Sequence, residues 1–123
     1  MIIELNNVSK KFKENLVINN LSTKFESGNV YCLKGENGCG KTVLIKLICG
    51  YMKADKGLIK QDGKAIRSPN NYLSNAGIMI ENVQFLPFFT LRENLEMLKD
   101  FSKKITDDKI NSWIDYYKLN EFV

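Results

Sequence analysis

At 123 residues, with 44% hydrophobic and 26% charged side chains, the chain has the make-up of one globular domain with a modest core, which excludes a disordered tail. Its net charge of +4 comes from sixteen lysines and two arginines (Arg67, Arg92), scattered rather than clustered, so a solvated surface is expected and no nucleic-acid partner. Histidine is absent and the three cysteines have no C-x-x-C spacing, which excludes zinc and Cys-His chemistry, while the lack of a long apolar run or leader-like start points to a cytoplasmic chain.

Ile2 to Val8 alternates loosely and Leu16 to Phe25 is also strand-like, with Lys13-Glu14-Asn15 between them, so the chain should open with an antiparallel β hairpin. A short apolar strand, Val30 to Leu33, follows. It runs into Gly35-Glu36-Asn37-Gly38-Cys39-Gly40-Lys41-Thr42, which meets the G-x-x-x-x-G-K-[ST] phosphate-loop pattern at every required position. Glycines at these places let the backbone turn tightly and aim successive N–H groups inward, making an anion-binding concavity closed by a helix N-terminus. Lys41 is expected to reach the β- and γ-phosphates and the Thr42 hydroxyl to hold Mg²⁺.

Context supports the motif, because Val43, Leu44, Leu47, Ile48 and Tyr51 recur at helical spacing after it, with Gly50 or Gly57 available to end the helix. Cys32 and Cys49 are expected to be buried, and so are the tyrosines. Cys39, inside the loop beside Lys41, is either a thiol activated by its surroundings or an inert loop residue.

Asp62-Gly63, flanked by Leu58-Ile59 and Ala65-Ile66, is a two-residue hairpin signal. Ser68 to Asn75, with Pro69 and three asparagines, reads as a loop, and Ala76 to Ile80 as a short buried strand. From Thr90 the pattern turns helical. Thr90 and Glu93 form a capping box ahead of Leu91, Leu95 and Leu98, and Thr106-Asp107-Asp108 starts a further helix whose face carries Ile110, Trp113, Ile114 and Tyr117.

Five segments together resemble the N-terminal half of an ABC-transporter ATPase domain. They are Val8-Ser9-Lys10-Lys11-Phe12, the phosphate loop, Leu47 to Gly50 running on to Lys53-Ala54-Asp55-Lys56-Gly57, Asp62-Gly63-Lys64, and Thr90 to Leu95. The resemblance implies an α/β phosphate-loop NTPase of ABC type, with an N-terminal antiparallel hairpin, a nucleotide-binding core over 1–89 and the start of a helical subdomain over 90–123. It implies Mg²⁺ and ATP as ligands. Gly35, Asn37, Gly38, Cys39, Gly40, Lys41, Thr42 and Val43 would line the phosphates.

By position, Phe12 corresponds to the aromatic that stacks on adenine, or else it simply closes the hairpin. Glu81 falls where the family has a glutamine that contacts Mg²⁺ and senses the γ-phosphate, so Lys41 and Glu81 are the candidate catalytic groups and Thr42 and Glu81 the candidate metal ligands. Gln84 is the alternative if the loop is shifted by three. A rival reading makes Ile78 to Glu81 a Mg²⁺-binding strand of its own, followed by Asn82. Ile80-Glu81 is similar to ABC ATPases of the bacitracin-export and lantibiotic-immunity type.

Phe85, Leu86, Pro87, Phe88 and Phe89 either pack within the subdomain or form the groove for a permease helix, with region 81–95 as the contact. The resemblance also implies a second ATPase domain as partner and a place on the inner face of the membrane. The 123 residues contain no Leu-Ser-Gly-Gly-Gln-like signature, no apolar strand ending in Asp-Glu and no switch histidine. An incomplete domain is therefore expected, one that binds nucleotide without turnover and self-associates through the unpaired edges of Val30 to Leu33. A soluble non-transport ABC-type ATPase and another kind of phosphate-loop protein are the alternatives.

Overall fold

A computed structural model describes residues 1–67, 71–82 and 84–123. These fall into two compact units, Met1–Glu81 and Asn82–Val123.

The first unit is built on a four-stranded antiparallel sheet of order β2-β1-β3-β4, formed by β1 (Ile2–Phe12), β2 (Asn15–Glu26), β3 (Lys56–Gln61) and β4 (Lys64–Ala65). The opening hairpin forms as expected and runs longer than the sequence suggested, because Lys10, Lys11 and Phe12 continue the ladder to a turn at Lys13-Glu14. Three register shifts interrupt it, between Leu5 and Val8, Val8 and Lys10, and Lys10 and Lys11. Asn7 and Asn20 take positive φ of 50° and 47°, and the polar groups this frees are met locally: the Asn7 N–H donates to the Ser22 hydroxyl and the Asn20 N–H to that of Ser9.

The Asp62-Gly63 hairpin also forms. Both residues have positive φ, 49° and 81°, the pattern of the turn that matches the right-handed twist of flanking strands, and only Gly and short polar residues enter it cheaply. Gly57 lies in β3, so it is Gly50 that closes α1 (Lys41–Cys49), donating its N–H to the Leu47 carbonyl oxygen at 3.1 Å.

Helix α1 lies over one face of the sheet. Leu44 and Leu47 are buried in a single cluster with Leu5, Val8, Ile18, Ile59 and Ile66. Burying each such side chain is worth about 1.5–3 kcal/mol, which makes this contact the main reason the helix keeps its place.

Two expected strands do not form. Val30 to Leu33 and Ala76 to Ile80 pair with no strand among the described residues, and Val30 and Met79 are 100% and 77% exposed. Runs that are apolar on consecutive positions need cover on both faces and a ladder on at least one edge. The antiparallel sheet spends its apolar face on α1 and offers these runs neither. Cys32, in the first of them, is consequently exposed while Cys49 is buried as expected.

The tyrosines are also more exposed than the sequence suggested. Tyr31 packs edge-on against Phe25 at 5.0 Å, its hydroxyl accepting from the Glu26 N–H at 2.9 Å, and Tyr51 faces Tyr72. Of the expected loop over 68–75, Ser68, Pro69 and Asn70 lie outside the described residues.

The second unit holds α2 (Leu91–Glu96), a 3₁₀ turn at Met97–Phe101, α3 (Asp107–Tyr116) and a last 3₁₀ turn at Asn120–Phe122. Ile110 and Ile114 of α3 are fully buried. Tyr117 falls just past the end of α3 and is exposed.

The capping box is present as the sequence indicates. Glu93 N–H donates to the Thr90 hydroxyl at 3.2 Å, and the Thr90 N–H donates to the Glu93 carboxylate at 2.7 Å. That backbone N–H, followed by the Thr90 side chain, holds the Glu93 carboxyl below its ordinary range. A depressed folded-state pKa means that the cap's contribution is complete above the ordinary carboxylate range and is lost as pH falls through the lowered value. The protection factor of the Thr90 amide, the intrinsic exchange rate at each pH divided by the observed one, should therefore be raised at neutral pH and fall under acid before the core opens, and in Glu93→Ala that pH step should vanish.

Candidate functional site

The loop from Gly35 to Thr42 sits between the irregular run 30–34 and the first turn of α1. Its shape is held from within: Cys39 N–H donates to the Glu36 carbonyl oxygen at 3.2 Å, and Leu44 N–H to that of Gly40 at 2.9 Å. Gly40 is the residue that caps α1, with φ of 103°. A Cβ there would stand 2.7 Å from Val17 Cγ1 and 3.2 Å from Ile18 Cδ1, so the loop backbone lies directly on β2 and only glycine allows both the turn and the approach. Gly35 is equally confined, because a Cβ on it would run into the Cys39 sulfur.

The Lys41 ammonium folds back into this loop, donating to the carbonyl oxygens of Gly35 and Glu36, the latter at 3.1 Å. Beside it opens a cavity of about 280 Å³ lined by Val17, Asn37, Gly38, Gly40, Lys41, Thr42 and Val43. The first turn of α1 contains no acidic side chain, so the positive end of its dipole faces the loop uncompensated. A helix N-terminus and one ammonium beside a small hollow make a site suited to an anion.

The structure thus brings together Gly35, Asn37, Gly38, Cys39, Gly40, Lys41, Thr42 and Val43 from the sequence-derived set. Val17 was missed. It is an ordinary strand valine in sequence, and only the glycine opposite gives it away.

Phe12 ends β1 opposite Asn15 and is 40% exposed, with the Lys10 ammonium 5.4 Å from its ring centroid. Asn15 and Val17 are two residues apart on β2, about 7 Å at the usual strand rise, so the hairpin carries the ring and the loop on neighbouring stretches.

Glu81 is exposed and adopts φ of 56°; among the described residues it shares no hydrogen bond with the loop and does not line its cavity. Gln84 is exposed as well. Of the two candidate Mg²⁺ contacts, Thr42 borders the cavity from the first turn of α1 and Glu81 does not; among the described residues no cluster of three carboxylate, cysteine or histidine side chains is assembled.

In the second unit the aromatic run is displayed rather than buried. Phe88 is 96% exposed, and Phe85, Leu86 and Phe89 are exposed too. Asn94 holds this loop in shape: its side chain accepts from the Leu86 N–H at 2.9 Å and donates to the carbonyl oxygens of Leu86, Phe89 and Thr90. An asparagine in a helix is a poor residue unless it has such a duty, which was the signal available in sequence.

The sequence profile of the ABC transporter family matches residues 18–123. An uncharacterized ABC transporter ATP-binding protein, YybJ of Bacillus subtilis, is 34% identical over 98% of this chain and 56% of its own length. The aliphatic sulfonates import ATP-binding protein SsuB of Bacillus cereus is 29% identical over 99% of this chain and 49% of its own. Among solved structures, a putative ABC transporter ATP-binding protein from Pyrococcus furiosus superposes with a TM-score of 0.70 at 25% identity, covering 81% of this chain and 48% of that one. The chain thus spans about half the length of the relatives it matches. A phosphate loop seated on an antiparallel hairpin, a profile match running through both units and neighbours of one kind lead to a single assignment: this chain belongs to the ABC transporter family, in its ATP-binding domain.

Proposed function

We propose that this chain is the nucleotide-cradling part of an ABC transporter's ATP-binding subunit, which binds Mg-ATP and couples it to a membrane permease. The observation that carries the reading is the Gly35 to Thr42 loop, with Lys41 folded over a hollow at the N-terminus of α1. In this reading the loop's N–H groups hold the phosphates, Lys41 exchanges its two carbonyl partners for β- and γ-phosphate oxygens, and Phe12 stacks on the base. The Thr42 hydroxyl would hold Mg²⁺, which neutralises phosphate charge when bound. Glu81 is kept as a candidate second contact to the metal and to the γ-phosphate. The core is read as 1–89 and the helical subdomain as 90–123.

The exposed aromatics held by Asn94 support region 81–95 as the permease contact, since loops seldom display so much apolar surface without a partner. A second ATPase domain completes the proposed assembly, at the inner face of the membrane. Ile80-Glu81 supports the export-type reading, akin to bacitracin-export and lantibiotic-immunity ATPases. With no histidine and no signature sequence in these 123 residues, we read them as binding nucleotide without hydrolysing it, and as self-associating through the uncovered apolar runs 30–33 and 76–80.

Calorimetric titration with Mg-ATP is expected to show one site per chain. Lys41→Ala, which removes charge-assisted bonds, should weaken it about tenfold to a hundredfold; unchanged affinity would overturn the site. Gly40→Ala should abolish binding and lower the thermal midpoint, because overpacking against Val17 alone costs about 1–3 kcal/mol. Since the Cys39 sulfur lies over Gly35 at the loop's centre, alkylating it should block Mg-ATP, and Mg-ATP should slow the alkylation while leaving that of exposed Cys32 untouched.

A further inference from the structure

Lys10 is held closely for a lysine. Its side chain is only 15% exposed, and its ammonium has three protein neighbours: the Lys53 carbonyl oxygen at 2.9 Å, the Asp55 carboxylate at 3.4 Å and the face of the Phe12 ring at 5.4 Å. Lys53 and Asp55 belong to the short link between α1 and β3. Asp55 grips β1 a second and a third time, accepting from the Lys11 N–H at 2.7 Å and donating its own N–H to the Ser9 carbonyl oxygen at 2.9 Å. The Lys11 N–H, with Lys10 behind it, keeps the Asp55 carboxyl below its ordinary range, so the charge that anchors Lys10 is present at neutral pH.

This arrangement has a consequence for the ring. A flexible ammonium that is held at both a carbonyl and a carboxylate stays over one face of Phe12, and a flat ligand is left with the other. A cation on one face also draws the ring's π density toward itself, which strengthens that contact and fixes the ring's orientation at the end of the strand. Phe12 lies beyond the last β1–β3 pair, Ser9 with Lys56, so without this tether only the β2 side would hold it. We infer that Lys10 and Asp55 are positioning residues that make Phe12 a one-sided platform for a nucleobase, Lys10 by occupying one face of the ring and Asp55 by holding Lys10 in place. The inference rests on the reading of Phe12 as the base-stacking residue.

The test compares two probes, Mg-ATP and Mg-tripolyphosphate, the second having the phosphates without a base. Their affinity ratio isolates the base contact. In Phe12→Ala the ratio should fall about fivefold to a hundredfold, the range of one base–aromatic stack. In Lys10→Met, which keeps the stem and loses the charge, it should fall about twofold to tenfold with tripolyphosphate affinity retained. Lys10→Arg should restore it, since a guanidinium also stacks on a ring. Asp55→Asn, which still accepts from Lys11, should behave like Lys10→Met. In the double variant Phe12→Ala with Lys10→Met the ratio should be that of Phe12→Ala alone.

If Phe12→Ala leaves the ratio unchanged, the platform itself is wrong and the inference falls with it. If Phe12→Ala lowers the ratio but Lys10→Met does not, the platform stands and the role given to Lys10 is overturned. Equal loss for both probes in Lys10→Met also overturns it, because the lysine would then serve the phosphates or the fold.

Discussion

The contact on which the rest depends is the seating of α1 on the sheet through Leu44 and Leu47. These two side chains fix the axis of a nine-residue helix, and with it the direction in which its first turn points. Without tertiary packing so short a helix is marginal in water. Once it is seated, Gly40 must lie on Val17, and the loop before it has little freedom left. The functional geometry is thus a by-product of hydrophobic packing: Val17 and Val43, which line the cavity, pack against the core cluster, and that packing sets the direction of the loop.

How legible this was in the sequence depended on how local each signal is. The phosphate loop, the Thr90 capping box, the Asp62-Gly63 turn and the opening hairpin are specified by residues within a few positions of one another, and all four are present. Val30 to Leu33 and Ala76 to Ile80 are of another kind. Their composition says that they want cover on both faces, but it cannot supply the neighbours, and a strand without a partner is not a strand. Cys32 followed its segment outward for the same reason. Val17, and the pairing of Lys10 with Asp55, were missed for the opposite reason: although Lys10 and Asp55 stand in segments that carry the resemblance, the significance of each of the three lies in a residue 20 to 45 positions away.

Phe12 shows how a resemblance and a structure contribute different things. Position within a motif proposes what the ring faces; it is silent on what holds the ring. The structure answers the second question with a lysine that is nearly buried for a residue of its type. The Asp55 carboxylate is about half exposed, and a pair open to solvent on that side contributes little to stability, so Lys10 and Asp55 are poorly explained as stabilising decoration. A pair that also holds an aromatic ring and a backbone N–H is better explained as a geometric device.

Lys41 is a second cation held by neighbouring backbone. Its ammonium rests on the Gly35 and Glu36 carbonyl oxygens, two neutral acceptors within its own loop. In the proposed reading phosphate oxygens would take their place, adding the attraction of opposite charges to contacts that are already charge-assisted. The loop's internal bonds, Cys39 to Glu36 and Leu44 to Gly40, need not break for this. Little ordering cost remains for binding, because the folding of α1 onto the sheet has already met it. In the proposed reading, an anion arriving here meets an ammonium already held in the loop, which turns from carbonyl to phosphate oxygens.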